Sequence, residues 1–130
     1  MIHNYTTPSN TFRSTVTGVT YPISRPLTWA DNNIIYLVTC TKPDCGKQYT
    51  GESGRKFKQR TDEHIKSIDN NKECPIKLHF CSPNHTSEHF SSLAIEKCKR
   101  PDTAYRRTRE NYWRNLLKTE INIQHSQLHQ

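Results

Sequence analysis

Cys40 and Cys45 flank the turn Thr41-Lys42-Pro43-Asp44, and five residues separate His79 from His85 around Ser82-Pro83-Asn84. Two thiolates followed by two imidazoles form the donor set of a closed, tetrahedral, structural zinc site. The interval between the pairs is longer than in a zinc finger, so such a site would tie the turn to the segment 75–85. Cys81 lies between the two histidines and could replace one of them; His89 is a weaker candidate. Cys74 and Cys98 read as ordinary half-buried thiols. The plain alternative is a buried thiol pair and two surface histidines.

A second group carries different chemistry. Tyr36 and Tyr49 end two strand-like runs, Arg60 and His64 are one helical turn apart, and Glu110 follows much later. A guanidinium offers a planar fork to phosphate, an imidazole relays protons near neutrality, and a carboxylate holds a hard cation. Tyrosine ordinarily titrates near 10 and needs a cationic neighbour before it can act as a base. Singly, each residue is unremarkable. A strand tyrosine packs, Arg60 and His64 make a solvated helix face, and Glu110 with Arg106 and Arg114 makes an ion-pair ladder worth about a few tenths of a kcal/mol.

These residues need elements to hold them. Residues 34–39 are continuously apolar and β-branched, as a buried strand requires, and 42–46 carry turn chemistry before a returning strand at 47–50. The turn is longer than a tight hairpin needs, which suggests an occupant. A helix is expected over 55–69, with Phe57, Thr61, Ile65 and Ile68 as its buried stripe and Arg60 and His64 beside that stripe. Asn70, Asn71 and Lys72 end it. Residues 75–80 suit a short helix, and 90–98 a third strand with Leu93 and Ile95 alternating. A second long helix is expected over 104–118, N-capped by Asp102 or Thr103, burying Tyr105, Tyr112, Trp113, Leu116 and Leu117. Residues 1–30 read as a polar arm with a short strand or hairpin at 16–21; residues 31–123 form the domain, and 124–130 a disordered tail.

With 130 residues and 32% hydrophobic content, the chain can bury only a modest core, a setting in which a metal staple helps. Its net charge of +7 favours a polyanionic partner, nucleic acid first. Arg55, Lys56, Lys58 and Arg60 on the first helix, with Arg106, Arg107, Arg109 and Arg114 on the second, would track DNA phosphates if they flank one cleft. Five cysteines are an odd number, and no apolar run reaches membrane-spanning length. No secretory signal is legible at the start, so the expectation is a soluble protein of a reducing, intracellular compartment.

The order of these residues resembles a known pattern. A tyrosine ending one strand (Tyr36), Tyr49-Thr50-Gly51 ending the next, an arginine some helical turns on (Arg60) and a glutamate on a later helix (Glu110) are similar to the GIY-YIG endonucleases. The closer resemblance is to the endonuclease domain of Penelope-like retroelements. It rests on Ile35-Tyr36-Leu37, Cys40, Cys45, Tyr49, Gly51-Glu52, Arg55, Arg60, Glu63-His64, His79-Phe80, Ser82-Pro83, His85, Glu110, Trp113 and Leu117-Lys118-Thr119. Ile34 stands where the first glycine would be, Thr50 replaces an isoleucine, and Asn122 is the one candidate for a C-terminal asparagine found in some members.

The resemblance implies an α+β fold, a small three-stranded antiparallel sheet flanked by helices. It implies divalent-metal-dependent hydrolysis of DNA phosphodiester bonds, with Tyr36, Tyr49, Arg60, His64 and Glu110 as catalytic residues. Either tyrosine could be the base. Glu110 would hold magnesium or manganese, and Cys40, Cys45, His79 and His85 a structural zinc. Gly51, Arg55, Lys56, Lys58, Arg106 and Arg109 would meet DNA. It further implies a nuclear setting, a reverse transcriptase region as partner in a larger protein, and a nick that primes reverse transcription. The rival expectations are a non-catalytic, zinc-containing DNA-binding module and a nuclease acting on branched or single-stranded DNA.

Overall fold

The computed structural model describes residues 9–69 and 74–122. Along the chain run β1 (Thr11–Arg13), β2 (Thr20–Pro22), β3 (Ile34–Cys40), β4 (Gln48–Ser53), α1 (Phe57–Asp69), α2 (Pro75–Phe80), a 3-10 turn (Ser87–His89), β5 (Phe90–Lys97) and α3 (Thr103–Leu117). The fold is α+β, as expected. One antiparallel sheet has the order β4-β3-β5, and β1 and β2 form a separate two-stranded sheet. Asn70, Asn71 and Lys72, residues 1–8 of the arm and the tail 124–130 lie outside the described residues. No helix among the described residues is long and apolar enough to cross a membrane.

The unbroken apolar run becomes the middle strand because both of its faces are covered. Ile34, Tyr36, Val38 and Cys40 point into a core shared with Phe57, Ile65 and Ile68 of α1, Ile76 and Phe80 of α2, and Phe90 and Ala94 of β5. Ile35 and Leu37 point the other way, toward Phe12, Ile95, Cys98 and Leu117. Strand periodicity divides one hydrophobic segment between two cores. Each fully buried Ile or Leu contributes about 1.5–3 kcal/mol. Opposite the Ile35–Tyr36 step, β5 slips register, with Ile35 facing Glu96 and Tyr36 facing Ala94. Ordinary alternation sends the adjacent Ala94 and Ile95 to opposite cores, and the bulge leaves Ile95 as the extra, unpaired residue of β5.

Two expectations shift. The hairpin of the arm lies at 11–22 rather than 16–21, and residues 14–19 are its turn, closed by Ser14 N–H donating to Val19 O at 3.0 Å. This sheet packs closely against the domain: Phe12 and Tyr21 form an aromatic cluster with Trp113, with centroids 5.0 and 5.4 Å from the indole. On α3, Tyr105 and Trp113 pack on the core and Leu117 is fully buried, but Tyr112 is 47% exposed. The buried line runs instead through Arg106, Trp113 and Leu117, because Arg106 is drawn inward by Glu52. At 3.6 residues per turn, Tyr112 then falls off the inner face. Asp102 caps the helix, its carboxylate accepting from Tyr105 N–H at 3.0 Å.

β4 is an edge strand, and side chains close it. Asn122 accepts from Thr50 N–H at 2.7 Å and donates to Thr50 O at 3.0 Å, so its amide substitutes for one residue of a neighbouring strand. Gln48 ties β4 to the hairpin by donating to Arg13 O at 2.9 Å and accepting from Thr15 N–H at 3.0 Å. Asn122→Ala strands two buried backbone groups at once. Urea unfolding should register a loss of about 2 kcal/mol or more for this variant. Stability equal to wild type would show that β4 needs no cover there.

Candidate active site and metal centre

Strand alternation places Tyr36 and Cys40 on one face of β3, one site near each end. Tyr36 pairs across the sheet with Gly51, and Tyr49 pairs with Val38, so the tyrosines are diagonal neighbours with ring centroids 6.5 Å apart. The Tyr36 ring lies directly over Gly51. A Cβ at Gly51 would be driven into the Tyr36 Cζ and hydroxyl and would come within 2.8 Å of Cε2. Gly51, expected to meet DNA, is therefore buried beneath a tyrosine. Its missing side chain is what lets that ring cross β4.

His64 comes from the inner edge of α1 and is buried. Its Nε2 is 2.5 Å from the Tyr36 hydroxyl, and its ring is 5.9 Å from that of Tyr49. Burial, reinforced by the Arg60 charge, holds the imidazole pKa down to about 3, so His64 is neutral. The charge of Arg60 also acts on the Tyr36 hydroxyl. Burial, opposed by Arg60, raises Tyr36 well above the usual tyrosine range. Tyr49 is pushed up to about 12 by burial and by the charge of Glu110, again with Arg60 opposing.

These side chains border an open cleft of about 620 Å³ whose lining includes Tyr49, Arg55, Arg60, Glu63, His64 and Lys66. Tyr49 is half-buried on its wall, whereas Tyr36 is only 1% exposed and lies behind it. Glu110 is electrostatically coupled to Tyr36, Tyr49 and Arg60. Burial, then the neighbouring Glu52 charge, raises its carboxyl above the usual range, against Arg114, Arg107 and Arg60. Glu52 and Glu96 are taken up by arginines. Among the described residues, no ion pair claims Glu110. Among the described residues it is thus a carboxylate outside any ion pair whose charge is felt by two tyrosines and an arginine.

Of the expected basic face of α3, Arg106 and Arg109 are spent internally, whereas Arg107 is exposed and Arg114 half-buried. Arg106 is buried and donates to Glu52 at 2.8 Å, to Asn33 Oδ1 at 3.0 Å and to Pro101 O at 2.7 Å. Arg109 forms a two-pronged pair with Glu96, both contacts at 2.7 Å, and Trp113 Nε1 donates to the same carboxylate at 3.0 Å. Neither is presented to the cleft, because each satisfies a half-buried carboxylate. On α1 and the chain before it, Lys56 and Arg55 are exposed; Lys58 is exposed too and pairs with Asp62 at 3.0 Å. Glu63 was not singled out for a role, yet it binds both Arg55 and Arg60. The i,i+3 spacing from Arg60 was the sequence signal for half of that link.

At the other end of β3, Cys40, Cys45, His79 and His85 each offer one donor atom, all within 4.8 Å of one another. They form a cluster that can hold a metal ion and whose chemistry is compatible with zinc. The turn after Cys40 is shaped by Asp44 and Gly46 at positive φ and closed by Cys40 N–H to Lys47 O at 2.8 Å. Cys45 Sγ lies 3.5 Å from His79 Nε2. Ser82 Oγ and Pro83 O both contact His85 Nδ1 at 3.1 Å, leaving its buried Nε2 without a hydrogen-bond partner. A buried imidazole nitrogen aimed at two thiols and a second imidazole fits a metal ligand. Burial, with Cys45 adding, pushes the Cys40 thiol up to about 11. Cys81 Sγ turns away to Ile68 O at 3.2 Å, and His89 Nδ1 is occupied by Thr86 N–H at 3.1 Å.

The chain matches no family model, no curated protein and no solved structure.

His64 makes a pH prediction. Its folded pKa lies near 3 and its ordinary value is 6.5, so the unfolded chain binds a proton more readily. This contribution to stability is complete above about pH 6.5 and is lost as pH falls toward 3. Replacing His64 by Asn should remove part of the acid limb, on the order of a few kcal/mol between pH 7 and 4 by urea unfolding. An acid limb identical to wild type would exclude His64 as its source.

Proposed function

We propose that this chain is a divalent-metal-dependent DNA endonuclease of the GIY-YIG type, related to the Penelope-like retroelement branch and stapled by a structural zinc. The observation that carries the reading is the convergence of Tyr36, Tyr49, Arg60 and His64, residues from three separate elements, at one open cleft, within the field of Glu110 on a fourth. Its net charge of +7 suits a polyanionic substrate. Nuclear action beside a reverse transcriptase, with the nick serving as primer, belongs to the same proposal.

Glu110 would hold a divalent ion, which would supply charge neutralisation at the phosphate and at the departing 3′ oxygen. A single free carboxylate suits magnesium or manganese, which keep waters and take substrate oxygens as their other ligands. Arg60 presents its fork to the phosphate from the cleft wall, already oriented by Glu63. Tyr49 is the better base, because it lines the cleft with Arg60 and lies within the field of Glu110. Its raised pKa keeps the phenol protonated, so it would first release that proton to solvent, a loss that cationic charge on the Glu110 side would favour. Tyr36, sealed behind the wall, orients the neutral His64. Zinc bound by Cys40, Cys45, His79 and His85 would pin the β3–β4 turn to the segment after α2.

Supercoiled plasmid with magnesium tests the enzyme. Wild type should nick it, while Glu110→Ala and Tyr49→Phe should each lose roughly 10²-fold or more. Tyr36→Phe should lose less, since it removes an orienting bond rather than the base. No nicking, or nicking equal in wild type and Glu110→Ala, would defeat the proposal, and the former would favour a DNA-binding module. The zinc is tested by metal analysis and melting. Stoichiometric zinc is expected, and Cys40→Ser should lose both the metal and most of the thermal stability, because metal-binding free energy is folding free energy here. A Cys40→Ser protein that melts like wild type would rule the staple out.

A further inference from the structure

Arg106 and Arg109 each face one carboxylate within the fold, both pairs largely shielded from water. Beside the cleft the balance is different. One oxygen of Glu63, Oε1, accepts from Arg55 Nη2 and also from Arg60 Nη1, the latter at 3.1 Å. Two guanidinium groups share one carboxylate, so a net positive charge remains. The group is open to solvent: the side chains of Arg55 and Glu63 are 58% and 40% exposed, and that of Arg60 30%. All three line the cleft beside Tyr49, His64 and Lys66.

An oxygen held between two guanidinium forks is also how a phosphate oxygen sits between two arginines. We infer that Arg55 and Arg60 form a phosphate subsite and that Glu63 is its resident counter-ion, displaced by a DNA backbone phosphate. Identifying the polyanion as DNA rests on the endonuclease reading above; the subsite itself does not need catalysis.

Two consequences follow from the exchange. Without DNA, Glu63 keeps both arginines at the cleft, so Arg60 is already positioned when substrate arrives. With DNA, one exposed ion pair is traded for another, an exchange close to neutral in free energy. A lone phosphate therefore gains little here. A strand gains, because its other phosphates engage Lys66, Lys56 and the rest of the basic surface at the same time. Glu63 thus selects for an extended backbone over isolated anions. The expelled carboxylate takes up cations from solution, which offsets about one of the counterions that DNA releases.

The test is binding of a fluorescent duplex oligonucleotide without divalent metal, titrated across salt. Glu63→Gln should tighten binding several-fold and steepen the plot of log affinity against log salt by about one unit. Asp62→Asn is the control. It makes the same change in net charge one residue away, on a side chain paired with Lys58 at 3.0 Å, and should tighten binding much less. In an Arg55→Ala, Arg60→Ala background, Glu63→Gln should bring no such gain. Weaker binding by Glu63→Gln, a gain no larger than that of Asp62→Asn, or a full gain that persists without both arginines overturns the proposal. So does failure of every variant to bind the duplex. The expected pattern in a protein that never nicks DNA would leave the subsite standing and defeat the endonuclease reading alone.

Discussion

A β-strand must send successive side chains to opposite faces, and β3 is buried on both. Everything else in the domain is arranged around that constraint. The face carrying Ile34, Tyr36, Val38 and Cys40 receives α1 and α2; the face carrying Ile35 and Leu37 receives α3 and the β1–β2 hairpin. Tyr36 and Cys40 are an even number of residues apart, so the tyrosine cluster and the cysteine–histidine cluster open on the same side. Each has its floor in the same strand. A one-residue slip of β3 would separate Tyr36 from His64 and Cys40 from His79 together.

The space between the two clusters is filled by rings. His79 packs on Phe80 with centroids 5.0 Å apart, Phe80 on Phe90 at 5.5 Å, and Phe90 on His64 at 6.1 Å. These edge and tilted contacts are ordinary aromatic core packing. They also mean that the imidazole against Tyr36 is backed by the helix and strand that border the cysteine–histidine cluster. Anything that holds the segment after α2 in place thereby helps to hold His64.

Charge is sorted by burial. Glu52 and Glu96 are half-buried and each has its own arginine, which removes Arg106 and Arg109 from the surface although both sit in a strongly basic helix. Glu63 is exposed and shared, and Glu110 is half-buried and unclaimed among the described residues. Four carboxylates of identical or near-identical chemistry therefore have three different situations. An unpaired carboxylate inside a low-dielectric wall is costly unless a cation compensates it, which is why Glu110 stands apart.

The sequence by itself determined the elements. The apolar run at 34–39, the stripe Phe57, Thr61, Ile65 and Ile68, and the Asp102 cap are local patterns, and local patterns follow from chain geometry. The cysteine and histidine spacing likewise selected the four residues that come together, because thiols and imidazoles at such intervals have few other uses. Only the tertiary structure decided how those elements face one another. It turned α3 so that Arg106 rather than Tyr112 is inside, laid Tyr36 over Gly51, and placed Tyr49, not Tyr36, on the wall of the cleft. It made Asn122 a cover for β4. The reason is physical: helical and strand periodicities fix which residues share a face, but which face is buried depends on partners far away in the chain. Glu52 meets Arg106 only after the sheet and α3 have docked, and no spacing within either segment announces it.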